Sequence, residues 1–474
     1  MNFYPFSTMT HMKIKMKKNR IFFLLILIIS ALSLTVLADT ARDITKECDI
    51  VCTGISREKI LDGSISTHSK AENITVCITA NENIGGIYLK YNNHAPDAGL
   101  LDGRTPVAQN GFVHEFIEID SSNTAELYFP HADICDMYVY SEGELPDDVQ
   151  KWEIGNPDTD ILLLATHSDD DQLFFAGLLP YYAKYRGVNV RVAYFANHFD
   201  TYNRTHELLD GLWHCGVKNY PDISPFPDGY SESVESAEGF LAGKNVSYDD
   251  ILSFQRGLID KYKPLVTVLH DFNGEYGHGA HMLNTKSFIE ACENTADGNY
   301  IPEKIYVHLY NENRIALPID EPLEAFGGKS AFNISQEAFS FHKSQHWTWF
   351  YGWIYGKGEK ITSSDSISKY NPSQYGLYSC RIGEDINKND LLENVVTYEE
   401  RARIKAEEEK KAKELEEKEK KPSSETLQSS PVSHEASTLP ENEKACLSPF
   451  IFLIPVALLI ILCVILTISN KKKR

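Results

Sequence analysis

Ile161-Leu162-Leu163-Leu164-Ala165-Thr166-His167-Ser168-Asp169-Asp170-Asp171 is an uncharged, mostly apolar run that stops abruptly at a histidine and three carboxylates. Such a run reads as a strand buried on both faces, with the polar cluster just beyond its carboxyl end. Further apolar runs at Val188–Phe195, Leu265–His270 and Lys304–Leu309 alternate with helical patterns at Leu173–Tyr185, Thr205–Cys215, Tyr248–Tyr262 and after His281. Alternating strands and helices predict an α/β, Rossmann-like domain with a mostly parallel sheet over residues 151–398. Sites in such sheets form beyond the carboxyl ends of the strands.

A second strand end carries similar chemistry. The run ending at His270 continues as Asp271-Phe272-Asn273-Gly274-Glu275-Tyr276-Gly277-His278-Gly279-Ala280-His281. Taken alone, Asp169–Asp171 read as an N-cap with an acidic first turn, and His278 and His281 as loop histidines. Histidine and carboxylate together at two strand ends of one sheet supply the imidazole and carboxylate donors that zinc accepts, and a divalent cation would relieve the crowding of three carboxylates. Gly274, Gly277 and Gly279 suggest a loop that approaches something closely.

Across Asp158–His308 this layout resembles the PIG-L/LmbE family of zinc-dependent N-acetylglucosamine deacetylases, whose motifs are His-Pro-Asp-Asp-Glu after a strand and a later His-x-x-His. The resemblance extends to Arg204-x-x-Glu207 on the helix after the second strand and, less specifically, to Ser330–Ser344 and Gly376–Asn394. It implies one zinc ion per chain held by His167, Asp170 and His281. It also implies Asp169 as the general base, His278 as the group that stabilises the tetrahedral intermediate, and Tyr276 assisting there. Arg204 matches a substrate-side arginine or else pairs with Glu207 across a helical turn. The departures are Ser168 and Asp171 for the motif's Pro and Glu, and Gly279-Ala280 where some members have Pro-Asp. An orienting role of that aspartate on His278 is then absent here, or supplied by Asp271 or Glu275.

Residues 39–150 carry short β-type runs at Thr75–Ala80, Gly86–Tyr91, Phe112–Asp120, Ala125–Phe129 and Cys135–Ser141, broken by Gly, Asn and Asp. They predict an antiparallel β-sandwich ahead of the catalytic domain. Leu61-Asp62-Gly63 and Met137–Gly143 resemble a galactose-binding-like (discoidin-type) jelly roll, which implies either a sugar-binding module or a scaffold. Cys48, Cys52, Cys77 and Cys135 are disulfide candidates there. Trp347, Trp349, Tyr351 and Trp353 could stack on a sugar, though their crowding favours a core strand.

Five basic residues precede the uncharged run Ile21–Leu37, which reads as a signal peptide over 1–38, cleaved after Ala38. Leu447–Ser469 is 23 residues without charge, followed by Lys471–Arg474. This predicts a transmembrane helix over 446–469 with a basic cytoplasmic tail over 470–474, hence a single-pass membrane protein with its bulk outside the cytoplasm, at the cell surface or in an endoplasmic reticulum. Between lie Glu399–Lys421, with nine acidic and nine basic residues, as a helical stalk, and 422–445 as a disordered linker.

The formal net charge is −21, and Asp39–Tyr398 alone holds 54 acidic against 27 basic residues. Such acidity excludes a nucleic-acid partner and disfavours a polyanionic glycan. The expected function is a zinc-dependent hydrolase removing acetyl from an N-acetylated sugar of the N-acetylglucosamine type, on a glycan or glycoconjugate. The alternative is a membrane-anchored carbohydrate-binding surface protein whose deacetylase-like domain is inactive.

Overall fold

The computed structural model describes residues 40–420, apart from 156, 202 and 295–297. The chain divides into two units, Met1–Glu408 and Glu409–Arg474. The first unit is built on two sheets.

Its amino-terminal sheet contains β1 (Asp49–Thr53), β2 (Ser69–Tyr91), β3 (Gly99–Leu101), β4 (Thr105–Val107) and β5 (His114–Ser141), in the order β1-β2-β5-β3-β4. Ser69 lies opposite Ile134 and Thr79 opposite Thr124, so β2 and β5 run antiparallel. Past the exposed Asn81-Glu82-Asn83, β2 continues between two stretches of β5, with Leu89 opposite both Glu115 and Met137. The separate short strands expected of a sandwich are therefore two long bent strands in one sheet that folds over itself. The polar clusters that read as turns are bends. Ile74, Val76, Ile78, Ile87 and Leu89 fill one core, while Tyr88 packs with Tyr140 and Val149 in another. The seven cysteines among the described residues, including Cys48, Cys52, Cys77 and Cys135, are free thiols.

The second sheet holds β6 (Ile161–Ala165), β7 (Val190–Tyr194), β8 (Asp222–Ile223), β9 (Val266–Leu269), β10 (Lys304–His308), β11 (Arg314–Ala316) and β12 (Gln374–Cys380). The order is β11-β12-β10-β9-β6-β7-β8. Strands β10, β9, β6, β7 and β8 are mutually parallel, and β12 and β11 close one edge antiparallel. Every residue of β6 is buried. Its neighbours β7 and β9 leave in opposite directions, so the carboxyl end of β6 is the topological switch point where such sheets hold their ligands.

The helices of this domain are α1 (Arg204–His214), α2 (Val234–Ala242), α3 (Tyr248–Tyr262), α4 (Gly279–Glu293), α5 (Ala331–Phe339) and α6 (Trp349–Tyr355). Ser247 and Asp250 form a capping box that starts α3. The segment expected as a helix over Leu173–Tyr185 is irregular. Hydrogen-bonded turns run to Gly177, whose φ of +86° ends them, and Pro180–Tyr185 is π-helical. The dipole of a regular helix is therefore not available to Asp169–Asp171. The aromatic cluster read as a core strand is instead α6.

The amino-terminal sheet packs directly on the site-bearing elements. The His94 ring packs against that of Phe199 at 4.5 Å, tilted at 58°, and Asn93 donates to the Phe199 carbonyl at 2.9 Å. A buried chain of hydrogen bonds links His206 Nδ1 to His114 Nε2 at 2.7 Å, and His114 Nδ1 to Gln150 Oε1 at 2.7 Å. Because Gln150 Oε1 can only accept, His114 carries its proton on Nδ1 and accepts from His206.

A further helix, α7, spans Tyr398–Lys420 and is charged on every turn, which bars it from hydrocarbon. The expected transmembrane helix, and with it the single-pass placement outside the cytoplasm, is thus corrected: among the described residues no helix is long and apolar enough to cross a membrane. Leu447–Ser469 itself, the segment 1–38, the linker 422–445 and the tail 470–474 lie outside the described residues.

Burial holds His114 well below the ordinary histidine range and pushes His206 down to about 3. Unfolded, both take up protons near pH ~6.5, whereas folded they do not, so stability falls as pH drops from that value toward 3. At pH 7.5, His114→Ala should cost about 1–3 kcal/mol in chemical denaturation, because it strands the His206 donor. The double variant His114→Ala/His206→Ala should show a flatter decline in stability below pH 6.5 than wild type; an unchanged slope refutes the account.

Candidate metal centre

Three donor atoms meet just beyond β6. His167 Nδ1 lies 3.2 Å from Asp170 Oδ2 and 3.0 Å from His281 Nε2, and the latter two atoms are 3.5 Å apart. His167 follows β6 directly, Asp170 sits in the turn after it, and His281 is in the first turn of α4. All three are buried. Asp170 Oδ2 also accepts the backbone N–H groups of Thr166 at 3.1 Å and His167 at 2.7 Å. The chain thus wraps the carboxylate before any ligand arrives.

Two further carboxylates aim the imidazoles. Glu275, fully buried, accepts His281 Nδ1–H at 2.6 Å, which leaves Nε2 with its lone pair toward the centre. Asp228 Oδ1 lies 3.3 Å from His167 Nε2 and does the same for Nδ1. Carboxylate partners of this kind fix ring orientation and raise ligand basicity. Asp228 Oδ2 is also 3.2 Å from His198 Nε2. Glu275 further accepts from His270 Nδ1 at 2.8 Å and His308 Nδ1 at 2.6 Å. His270 Nε2 takes the Thr166 N–H at 3.0 Å, so His270, although 3.4 Å from Asp170, is already satisfied as a supporting residue.

The electrostatics call for a cation. Asp169, Asp170, Asp228 and Glu275 converge against the single guanidinium of Arg204. Burial alone would lower His167, but the charges of Asp170 and Asp228 raise it to about 10. The excess negative charge draws protons to where a metal ion would otherwise serve. Two overlapping buried groups, His167 with His278 and His281, and Asp170 with His270 and His281, bring donor atoms close enough together to hold a metal ion.

Around this centre lie the remaining residues singled out from the sequence. Arg204 Nη2 donates to Asp169 Oδ1 at 3.2 Å, while Glu207 accepts from Ser344, so the arginine reaches the site instead of pairing along α1. His278 caps α4, its Nδ1 accepting the Ala280 N–H at 3.2 Å, which leaves Nε2–H as a donor. Neither Asp271 nor Glu275 orients His278; Glu275 serves His281 instead. Burial and the neighbouring His167 and His281 push His278 down to about 2, so it is neutral. Gly279 is required because a Cβ there would come within 2.2 Å of the Ser233 carbonyl. Tyr276, at φ +51°, sets its ring 5.4 Å from that of His278 and 5.7 Å from that of His281. Asp171 is buried and accepts from Gln172, which His342 holds at 2.7 Å.

Asp228, His198 and Glu275's three-histidine role were not readable as site features. Asp228 and His198 lie in irregular loops after β8 and β7, with no spacing signal; Glu275 stood in the right loop, but only the fold brings His308 to it. Ser168 Oγ, Arg204 Nε and Ser231 Oγ are buried without partners in the protein, which leaves polar groups free for a ligand. Two clefts of about 710 and 740 Å³, where Asn93, His94 and Asp97 meet Phe199, are lined by none of the donor residues.

No protein-family model matches the chain, and neither does any curated protein. Among solved structures, the chain is similar to the 4-carboxy-2-hydroxymuconate hydratase GalB of Pseudomonas putida, at 14% identity over 48% of this chain and 99% of that one, with a TM-score of 0.30. A conserved protein from Thermus thermophilus matches at 13% identity over 48% and 97%, TM-score 0.30. A family two carbohydrate esterase from Clostridium thermocellum, in complex with cellohexaose, matches at 8% identity over 63% and 98%, TM-score 0.20. Similarity of this degree assigns no function.

Glu275→Gln should weaken metal binding by about 10- to 100-fold, as loss of such a supporting carboxylate does elsewhere. Competition between the purified chain and a chromogenic zinc chelator measures it. Affinity equal to wild type in a folded Glu275→Gln chain would remove Glu275 from the site.

Proposed function

We propose that this chain is a zinc-dependent hydrolase that removes acetyl from an N-acetylated sugar of the N-acetylglucosamine type, in the manner of the PIG-L/LmbE deacetylases. One observation carries the reading. The separations of 3.0, 3.2 and 3.5 Å among His167 Nδ1, Asp170 Oδ2 and His281 Nε2 bracket about 3.3 Å, the edge of a tetrahedron with zinc–ligand bonds of about 2.0–2.1 Å. Three protein donors leave the fourth position of a catalytic site. Zinc bound there supplies Lewis acidity and makes water a stronger acid.

The residues around the donors supply what amide hydrolysis needs. Asp169 is buried, and that burial together with the charge of Asp170 raises its carboxyl above the ordinary aspartate value against the pull of Arg204. A carboxylate so tuned exchanges protons closer to neutrality. Arg204 fixes one of its oxygens, and the other accepts a proton from the attacking water. As the water oxygen bonds to the acetyl carbon, charge gathers on the carbonyl oxygen, and the neutral His278 donates to it through Nε2–H. Asp169 then returns its proton to the amide nitrogen, the C–N bond breaks, and acetate and the free amine leave. Arg204 Nε, Ser168 Oγ and Ser231 Oγ, buried and unpartnered, suit the hydroxyl groups of a sugar.

Asp169→Asn should keep one zinc per chain by metal analysis while acetate release from N-acetylated sugars falls by about 100- to 10,000-fold. Wild-type activity in that variant would sink the mechanism. His278→Ala should lose about 100- to 1,000-fold in kcat at retained zinc. Because the base works only when deprotonated, activity should fall on acidification with a midpoint above that of an ordinary aspartate. A profile flat down to pH 4 would exclude Asp169.

A further inference from the structure

Helix α6 reads Trp349-Phe350-Tyr351-Gly352-Trp353-Ile354-Tyr355, and only Ile354 is fully buried. Phe350 and Trp353 turn inward onto Phe174 at 5.8 and 5.5 Å. The other rings turn outward: Trp349 is 43% exposed, Tyr351 44%, and Trp347, just before the helix, 84%. Packing explains the inward pair and not the outward set.

Of the outward rings, Trp349 reaches the metal centre. The Trp349 ring lies 5.7 Å from that of Tyr276, which stands against both His278 and His281. The ring of Tyr230 lies 5.3 Å from that of His278, edge-on at 74°, and Tyr230 is 66% exposed. Two exposed rings thus stand next to His278, Tyr230 directly and Trp349 through Tyr276. Exposed apolar groups gathered at a site mark a binding surface.

We propose that Trp349, with Trp347 two residues before it, and Tyr230 stack the sugar units that flank the one being deacetylated, so that the substrate is a linked, neutral N-acetylated oligosaccharide and not the free monosaccharide. The proposal rests on the deacetylase reading. A hexose ring offers a C–H face to an aromatic ring and hydroxyls at its edge. The segment matches that pattern, because His346 and Thr348 alternate with Trp347 and Trp349. A purely apolar aglycone would be met by an unbroken apolar face. The acidity of Asp39–Tyr398, 54 acidic to 27 basic residues, repels a polyanionic chain and is compatible with a neutral or cationic glycan; a fully N-acetylated chain is neutral.

The test compares acetate release from chitotetraose and from N-acetylglucosamine by the zinc-loaded chain. Wild type should prefer chitotetraose by at least tenfold in kcat/KM. The tetramer-to-monomer ratio should fall at least tenfold in Trp347→Ala/Trp349→Ala, and be restored largely by Trp347→Phe/Trp349→Phe. Trp347→Ala alone, at a site too exposed to affect folding, should lower the ratio measurably. A wild-type ratio near one, or a ratio unchanged in the double variant, overturns the proposal. So does a stronger preference for a long-chain alkyl N-acetylglucosaminide that the same variant loses, which would assign the rings to an apolar aglycone. If no sugar yields acetate, the deacetylase reading fails separately, and quenching of tryptophan fluorescence by chitotetraose then decides. Quenching in wild type and not in Trp347→Ala/Trp349→Ala keeps the platform; none in wild type removes it.

Discussion

A single buried carboxylate organises the centre of this molecule. Glu275 accepts from His270, His281 and His308, residues at the end of β9, the start of α4 and the end of β10. A carboxylate has lone pairs for about four such bonds, and the Asp271 N–H takes a fourth at 3.3 Å. Burying it uncompensated would be costly, so each imidazole partner is necessary to the fold as well as to the site. The backbone permits the arrangement because Gly274 adopts φ +64°, where a Cβ would strike the His278 carbonyl at 2.5 Å. Through His270 the hub also holds the Thr166 N–H, and hence the turn that presents His167 and Asp170. Loss of Glu275 would thus be felt at both metal-ligand segments together.

The amino-terminal sheet enters the same network from outside. Arg204 and His206 are two residues apart on α1; one reaches Asp169 and the other bonds to His114 of β5. Asn93 and His94 grip Phe199 in the loop between β7 and α1, beside His198. This sheet therefore sets the pose of the loop and helix that carry Arg204. A scaffold role follows from those contacts whether or not the sheet also meets a ligand.

What could be read from the sequence, and what could not, divides along physical lines. The strand Ile161–Ala165 and three of its four parallel neighbours announce themselves because burial on both faces demands unbroken apolar runs, whereas the two-residue, half-buried Asp222–Ile223 does not. Strand ends in such sheets point to where a site forms, and the resemblance to the deacetylases singles out His167, Asp170 and His281 within it. The three come together at 3.0–3.5 Å. Asp228 was invisible, since an aspartate in a loop has no local pattern and acquires meaning only from the histidine it meets. The bent strands β2 and β5 were misread as several short ones because a bend and a turn both expose Asn and Glu. The segment Leu173–Tyr185 has helical periodicity, yet Gly177 and Pro180 override it. The aromatic run at 347–353 has the composition of a core strand; its seven-residue helix turns half of those rings outward.

Three consecutive aspartates show how far local environment can separate identical side chains. Asp170 is buried, which by itself would raise its pKa, but the imidazoles of His281 and His167 and the bonds it accepts hold it far below the ordinary value. Those donors favour its ionised form. Asp169, one residue earlier, is raised by burial and by the charge of Asp170, with Arg204 opposing, which suits the acid–base role proposed for it. Asp171 is raised further still by burial, with no cation beside it, and its link to Gln172 ties the turn to His342. Neighbouring titratable groups driven in opposite directions sort ligand from acid–base residue. On that criterion the roles proposed for Asp170 and Asp169 are not interchangeable: the first is surrounded by donors that would be stranded if it were protonated, whereas the second meets one guanidinium at one oxygen.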